Sequence, residues 1–275
     1  MKTIDWLLNL AALIIWLRWL SFFSATTRIT LTLATVVKST EKGSKRGFFP
    51  LFIIGLILLG KAIFFYYSGA ITNFNPILDL TAISIPFKSA LFTMTLLYSV
   101  LSFLLFLIVF YFWLCILSVL NYREELDIYH RKIIQHLGII GKLPAFFRFL
   151  APFVITAFLW FIVSLLFSKM GIITLPKSFP KHLLQSALLS MGLIFSLKYL
   201  VIIICALFLC YTYFYLGIHP FWAFIGITGK RLLKLIRWIR LGPLDLSPLV
   251  MTIVVVYLCL LGEKWFPVFY QRLLM

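Results

Sequence analysis

The sequence predicts an all-α polytopic membrane helix bundle of about six spans, and three observations carry that prediction. Of the 275 residues, 63% are hydrophobic and 12% charged, and the mean hydropathy is +1.08, so polar surface is too scarce to cover a water-facing globule. Apolar runs such as Leu51–Tyr67, Leu91–Leu120 and Leu188–Leu216 approach or exceed the roughly 20 residues that cross ~30 Å of hydrocarbon as a helix. Basic residues gather between alternate runs, the signature of a chain threaded back and forth. The runs are too long and too continuous for the ~10-residue alternating strands of a barrel. Helices satisfy their own backbone in lipid.

Six segments follow in order, near 5–23, 48–67, 91–120, 151–168, 188–217 and 249–262. In the first, Asp5, Arg18, Trp6, Trp16 and Trp19 break the pattern of a signal peptide, so it reads as a retained span. Arg28, Lys38, Lys42, Lys45 and Arg46 follow the first segment; Arg123, Arg131, Lys132, Lys142 and Arg148 follow the third; Lys230, Arg231, Lys234, Arg237 and Arg240 follow the fifth. The opposite loops carry Lys88, then Lys169, Lys177 and Lys181. By the positive-inside rule the three rich loops are cytoplasmic and both termini lie outside, which folds the chain into three hairpins.

The first helices of these hairpins end near 23, 120 and 217, a parallel repeat with units at 1–75 (degenerate), 76–175 and 176–275. In the last two units an aromatic helix end, a basic loop and a proline opening the return helix (Pro152, Pro248) recur in order. Within the third loop, Phe221, Phe224, Ile225, Leu232, Leu235, Ile236 and Ile239 fill one face of a helix projected over Phe221–Leu241. Lys230, Lys234 and Arg237 lie opposite, flanked by Arg231 and Arg240. That is an interfacial amphipathic helix, whose five cations would each gain about 1 kcal/mol beside anionic lipid headgroups. The stretch Tyr129–Leu150 is a weaker counterpart, interrupted by Gly138, Gly141 and Pro144.

Gly242-Pro243-Leu244-Asp245-Leu246-Ser247-Pro248 leads from the basic helix into the last span. A basic amphipathic stretch, a Gly-containing turn and Asp-hydrophobic-Ser-Pro opening a span resemble the YggT (YlmG-like) family of bacterial and plastid membrane proteins. His219-Pro220-Phe221 is similar to that family's polar-Pro-Phe element. The resemblance is strongest over 188–262; Pro243 stands where a second glycine is usual. It implies repeated helical hairpins in a bacterial plasma (inner) membrane, and roles in cell-envelope organisation, osmotic or cation tolerance, or assembly of membrane complexes. Structurally, Ser247 is placed to cap the last helix, Pro248 fits its first turn, and Asp245 sits beside that positive end within reach of Arg237 or Arg240.

Three cations fall within apolar runs. Arg18 and Lys61 lie near predicted helix ends and are expected to snorkel. Lys198 is deeper, with no acid expected inside a span to neutralise it, and is the intramembrane cation with a case for function. Catalytic and metal constellations are not found: Glu124, Glu125 and Asp127 sit among loop cations, no two histidines are spaced as ligands, and Cys115, Cys205, Cys210 and Cys259 form no CxxC pair. No cofactor is implied. The net charge of +17 is accounted for by topology before nucleic acid. The expected function is non-enzymatic: organising or assisting assembly of envelope components, with the basic surface meeting anionic lipid headgroups or another membrane or cytoplasmic protein. The alternative is a small transporter or channel for ion or osmotic balance; oligomerisation is left open.

Overall fold

The computed structural model describes residues 1–29, 48–122, 128–173, 176, 178–215, 217, 219–236, 240–241 and 244–274. Among the described residues it is all-α, with six helices long and apolar enough to cross a membrane. They are α1 (Lys2–Ile29), α2 (Phe49–Thr72), α3 (Phe92–Leu120), α5 (Ala145–Lys169), the pair α6 (Phe179–Met191) and α7 (Leu197–Tyr213) in one span, and α9 (Ser247–Leu274). Between them lie α4 (Ile128–Leu137) and α8 (Pro220–Leu232), and two minimal antiparallel ribbons, β1 (Ile77–Asp79) with β2 (Ser84–Pro86) and β3 (Arg240–Leu241) with β4 (Leu244–Asp245). Ile14, Phe52, Leu56, Phe158, Ile253 and Leu258 stand exposed, as side chains facing lipid do.

The chain forms two compact units, one of residues 1–78 and 85–107, the other of 79–84 and 108–275. In the first, α1 packs along α2. Its core joins Ala12, Ile54 and Phe103, with Ile15, Trp16, Leu58 and Leu107 around them. Asn73 ends α2 in the left-handed conformation, a role its short polar side chain tolerates.

In the second unit α5 packs along α6 and α7 along α9. Pro152 lies inside α5, correcting its expected place at the start of the return helix. The helix begins six residues earlier than the apolar run, after Pro144, because Arg148 turns inward. Its Nε donates to the Leu143 carbonyl at 2.6 Å and its Nη1 to Ser118 Oγ at 2.7 Å. This polar anchoring keeps a helical turn that hydropathy alone does not mark.

The basic helix of the third loop ends at Leu232 and passes into a 3-10 turn, Leu233–Leu235, instead of continuing to Leu241. Its apolar face is covered by protein: Phe224, Ile225 and Leu233 pack with Val201, Cys205 and Phe208 of α7, and Tyr129 of α4 adds a ring 5.9 Å from Phe224. Two glycines permit this approach. A Cβ on Gly226 would lie 2.6 Å from the Tyr211 ring, and one on Gly229 would meet Phe208. Gly229→Val is therefore expected to destabilise the protein by about 1–3 kcal/mol through overpacking, read as a lowered thermal midpoint in detergent.

Candidate functional site

Lys61 occupies the middle of the 24-residue α2, because that helix runs on to Thr72, beyond the predicted end. An ammonium there is too deep to reach water along its stem, and it is 1% exposed. Snorkelling is thus replaced by neutralisation in place. Lys61 Nζ donates to Asn9 Oδ1 at 2.8 Å and to Ser102 Oγ, and it lies 2.6 Å from Asp5 Oδ1. The Asp5 contact is an ion pair, and further bonds from the ammonium go to the amide and the hydroxyl. Asn9 Nδ2 points back at Asp5 Oδ2, 3.4 Å away, and the Tyr98 ring sits 5.5 Å from the ammonium.

Each helix supplies these groups by its own periodicity. Asp5 and Asn9 are one turn apart on α1, while Thr95, Ser99 and Ser102 fall at i, i+4 and i+7 on α3 and are all buried. Ser99 Oγ donates to the Leu58 carbonyl at 2.7 Å, fixing α3 against α2 one turn from Lys61. Sequence reasoning missed this site. The available signal was a single cation in an apolar helix, matched by an acid-amide pair on the neighbouring span and a hydroxyl stripe on the next.

The second unit holds a charged pair of its own. Lys198 Nζ lies 2.5 and 2.7 Å from the two carboxylate oxygens of Glu263, with side-chain exposures of 11% and 31%. This corrects the expectation that no acid lies within a span. The last apolar run ends at 262, yet α9 continues through Glu263 to Leu274. The close approach is made at Gly262, where Phe195 from the 3-10 turn Gly192–Ser196 fills the space a side chain would take and stacks edge-on against Phe266 at 5.3 Å. Trp113 Nε1 ties that turn down by donating to Ser196 Oγ at 3.2 Å. Lys198, two residues after the turn, therefore faces Glu263 and the Tyr199 ring at 5.1 Å.

The remaining predicted residues divide. Lys230 and Lys234 are exposed; Arg231 Nη1 donates to the Leu120 carbonyl at 3.0 Å, closing the end of α3. Arg237 and Gly242 lie outside the described residues, as does the side chain of Arg240. The Asp245 carboxylate accepts from the Ser247 backbone N–H at 3.0 Å, and the Asp245 N–H donates to Tyr213 Oη at 3.0 Å, so the turn ties α9 to the end of α7. Ser247 is fully buried at the first position of α9, with Pro248 next. His219 Nδ1 accepts from the Phe221 N–H at 3.2 Å and caps α8, which gives His219-Pro220-Phe221 a structural role. Among the described residues no three His, Cys, Asp or Glu side chains converge as a metal site. Compared with known proteins, the chain matches no family model, no curated protein and no solved structure.

Proposed function

We propose that this chain is a non-enzymatic, YggT-like protein of a bacterial inner membrane that organises or assists assembly of envelope components through a basic cytoplasmic surface. The observation that carries this reading is the state of α8. Its apolar face is fixed on α7, while Lys230 near its end and Lys234 in the 3-10 turn that follows remain exposed. A pre-organised helix presenting free ammonium groups loses little freedom on meeting anionic lipid headgroups or an acidic partner. The three basic loops face the cytoplasm in this proposal, and the termini face outward.

Crosslinking in native membranes followed by mass spectrometry tests it, comparing wild type with Lys230→Gln/Lys234→Gln. Arg231 is left intact because it closes α3. The variant is expected to lose neighbours recovered with wild type; the same neighbours from both would overturn the docking role. A second reading, a small transporter or channel for ion or osmotic balance, is favoured by one observation: each unit holds a lysine and a carboxylate paired inside its spans.

A further inference from the structure

We propose that the first turn of α5 binds the phosphate of an anionic phospholipid, with Arg148 and Lys142 as its cationic ligands. The starting point is an unbalanced charge. Lys61, Arg148 and Lys198 are the cations buried among the described residues. Lys61 and Lys198 each lie against a carboxylate, whereas Arg148 meets neutral groups: the Leu143 carbonyl, the Ser118 hydroxyl and, 5.6 Å away, the Tyr122 ring. These partners hold Nε and Nη1 and supply no counter-charge. Nη2 has no protein partner among the described residues. A guanidinium that is 7% exposed needs a counter-charge, because an unpaired charge withdrawn from water is costly.

The surroundings are those of a headgroup. α5 has 25 residues, and at ~1.5 Å each its length of roughly 37 Å exceeds the ~30 Å of hydrocarbon, so its first turn reaches headgroup depth. That turn contains no acid, and Pro144 at the N-cap makes no side-chain cap, so the positive end of the helix and its first N–H groups are left for an anion. Arg148 Nε reaches back to Leu143, the residue before the cap, which sets the guanidinium beside that helix end. Lys142 is exposed in the 3-10 turn just ahead, Ile140–Lys142. Leu143 and Pro144 are exposed as well, so a headgroup approaches from outside the bundle. From this end Phe146, Leu150, Val154 and Phe158 recur every four residues as an exposed apolar stripe, a bed for an acyl chain.

The charge balance selects the lipid. A guanidinium binds phosphate oxygens through parallel N–H groups, and a nearby ammonium adds charge. A zwitterionic lipid brings its own cation, whereas a lipid of net negative charge matches two cations in a turn without an acid. The inference goes beyond the docking role proposed for α8. It uses neither Lys230 nor Lys234, and it stands if that role fails.

Native mass spectrometry of the full chain, released from a neutral detergent, tests it by counting bound lipid during titration with phosphatidylglycerol or phosphatidylcholine. Wild type is expected to retain one phosphatidylglycerol at about a tenth of the concentration needed for phosphatidylcholine. Lys142→Gln, a substitution at an exposed position, is expected to weaken that first binding about fivefold, and Arg148→Gln at least about tenfold. Lys230→Gln/Lys234→Gln leaves it unchanged. Equal retention of the two lipids by wild type overturns the proposal, as does undiminished binding by Lys142→Gln. A first binding lost instead in Lys230→Gln/Lys234→Gln places the lipid on α8 and overturns it too. So does displacement of the lipid by inorganic phosphate at constant ionic strength, which assigns the site to a free anion. Should Arg148→Gln fail to fold, wild type and Lys142→Gln decide.

Discussion

Lys61→Met is expected to lower stability by about 3 kcal/mol, the low end of the range for breaking a buried ion pair from one side. Methionine fills much the same volume, so packing of α2 against Ala12 and Phe103 is little changed. What changes is polar satisfaction. The Asp5 carboxylate loses its counter-charge, and the Asn9 amide oxygen and Ser102 lose the donor they share. The loss stays at the low end because Asp5 keeps some contact with the surroundings, at 19% side-chain exposure. Reversible unfolding in mixed detergent micelles reads this difference directly.

The second large effect is expected at the other pair. Glu263→Leu leaves the Lys198 ammonium inside its span with the Tyr199 ring as its nearest compensation, and a loss of about 2–3 kcal/mol follows. It is smaller than at Lys61 because Glu263 is itself 31% exposed, so less of its charge is withdrawn from solvent in the folded state. Removing both charges, as Lys198→Met/Glu263→Leu, is expected to restore most of the loss, since an apolar pair of similar volume needs no desolvation. A thermal midpoint for the double variant as low as that of Glu263→Leu would show that the carboxylate acts through something other than Lys198.

Hydropathy made the six spans legible, because the bilayer imposes a length and an apolar composition that hardly any other setting requires. It failed at several of their ends, where the helix runs on past the apolar run. The run before Glu263 stops at 262 because Glu263 and Lys264 lower the local average, yet α9 continues because Lys198 neutralises the acid from α7. The start of α5 was hidden by Arg148, whose charge is satisfied by a carbonyl and a hydroxyl. The middle position of Lys61 was hidden by polar and aromatic residues at the end of α2, which shortened the apparent span. At Glu263 and Arg148 a charged residue that reads as a boundary is paired across helices, a tertiary fact outside the reach of a one-dimensional pattern.

The candidate site was therefore only half legible. Lys198 stood out in the sequence as a deep cation, and its partner did not. The amphipathic pattern of the third loop was real over Pro220–Leu232, but its apolar face meets Val201, Cys205 and Phe208, for which Gly226 and Gly229 were the readable clue. Small residues facing aromatic ones on consecutive helices signal close helix packing.

That charges within the spans are held by cross-helix pairing is tested most directly by the double-mutant cycle of Asp5→Asn and Lys61→Met. The predicted coupling energy is about 2 kcal/mol, well above the ~0.6 kcal/mol average for hydrogen bonds between membrane helices. Losses from the two single variants that simply add, with coupling near zero, would contradict it.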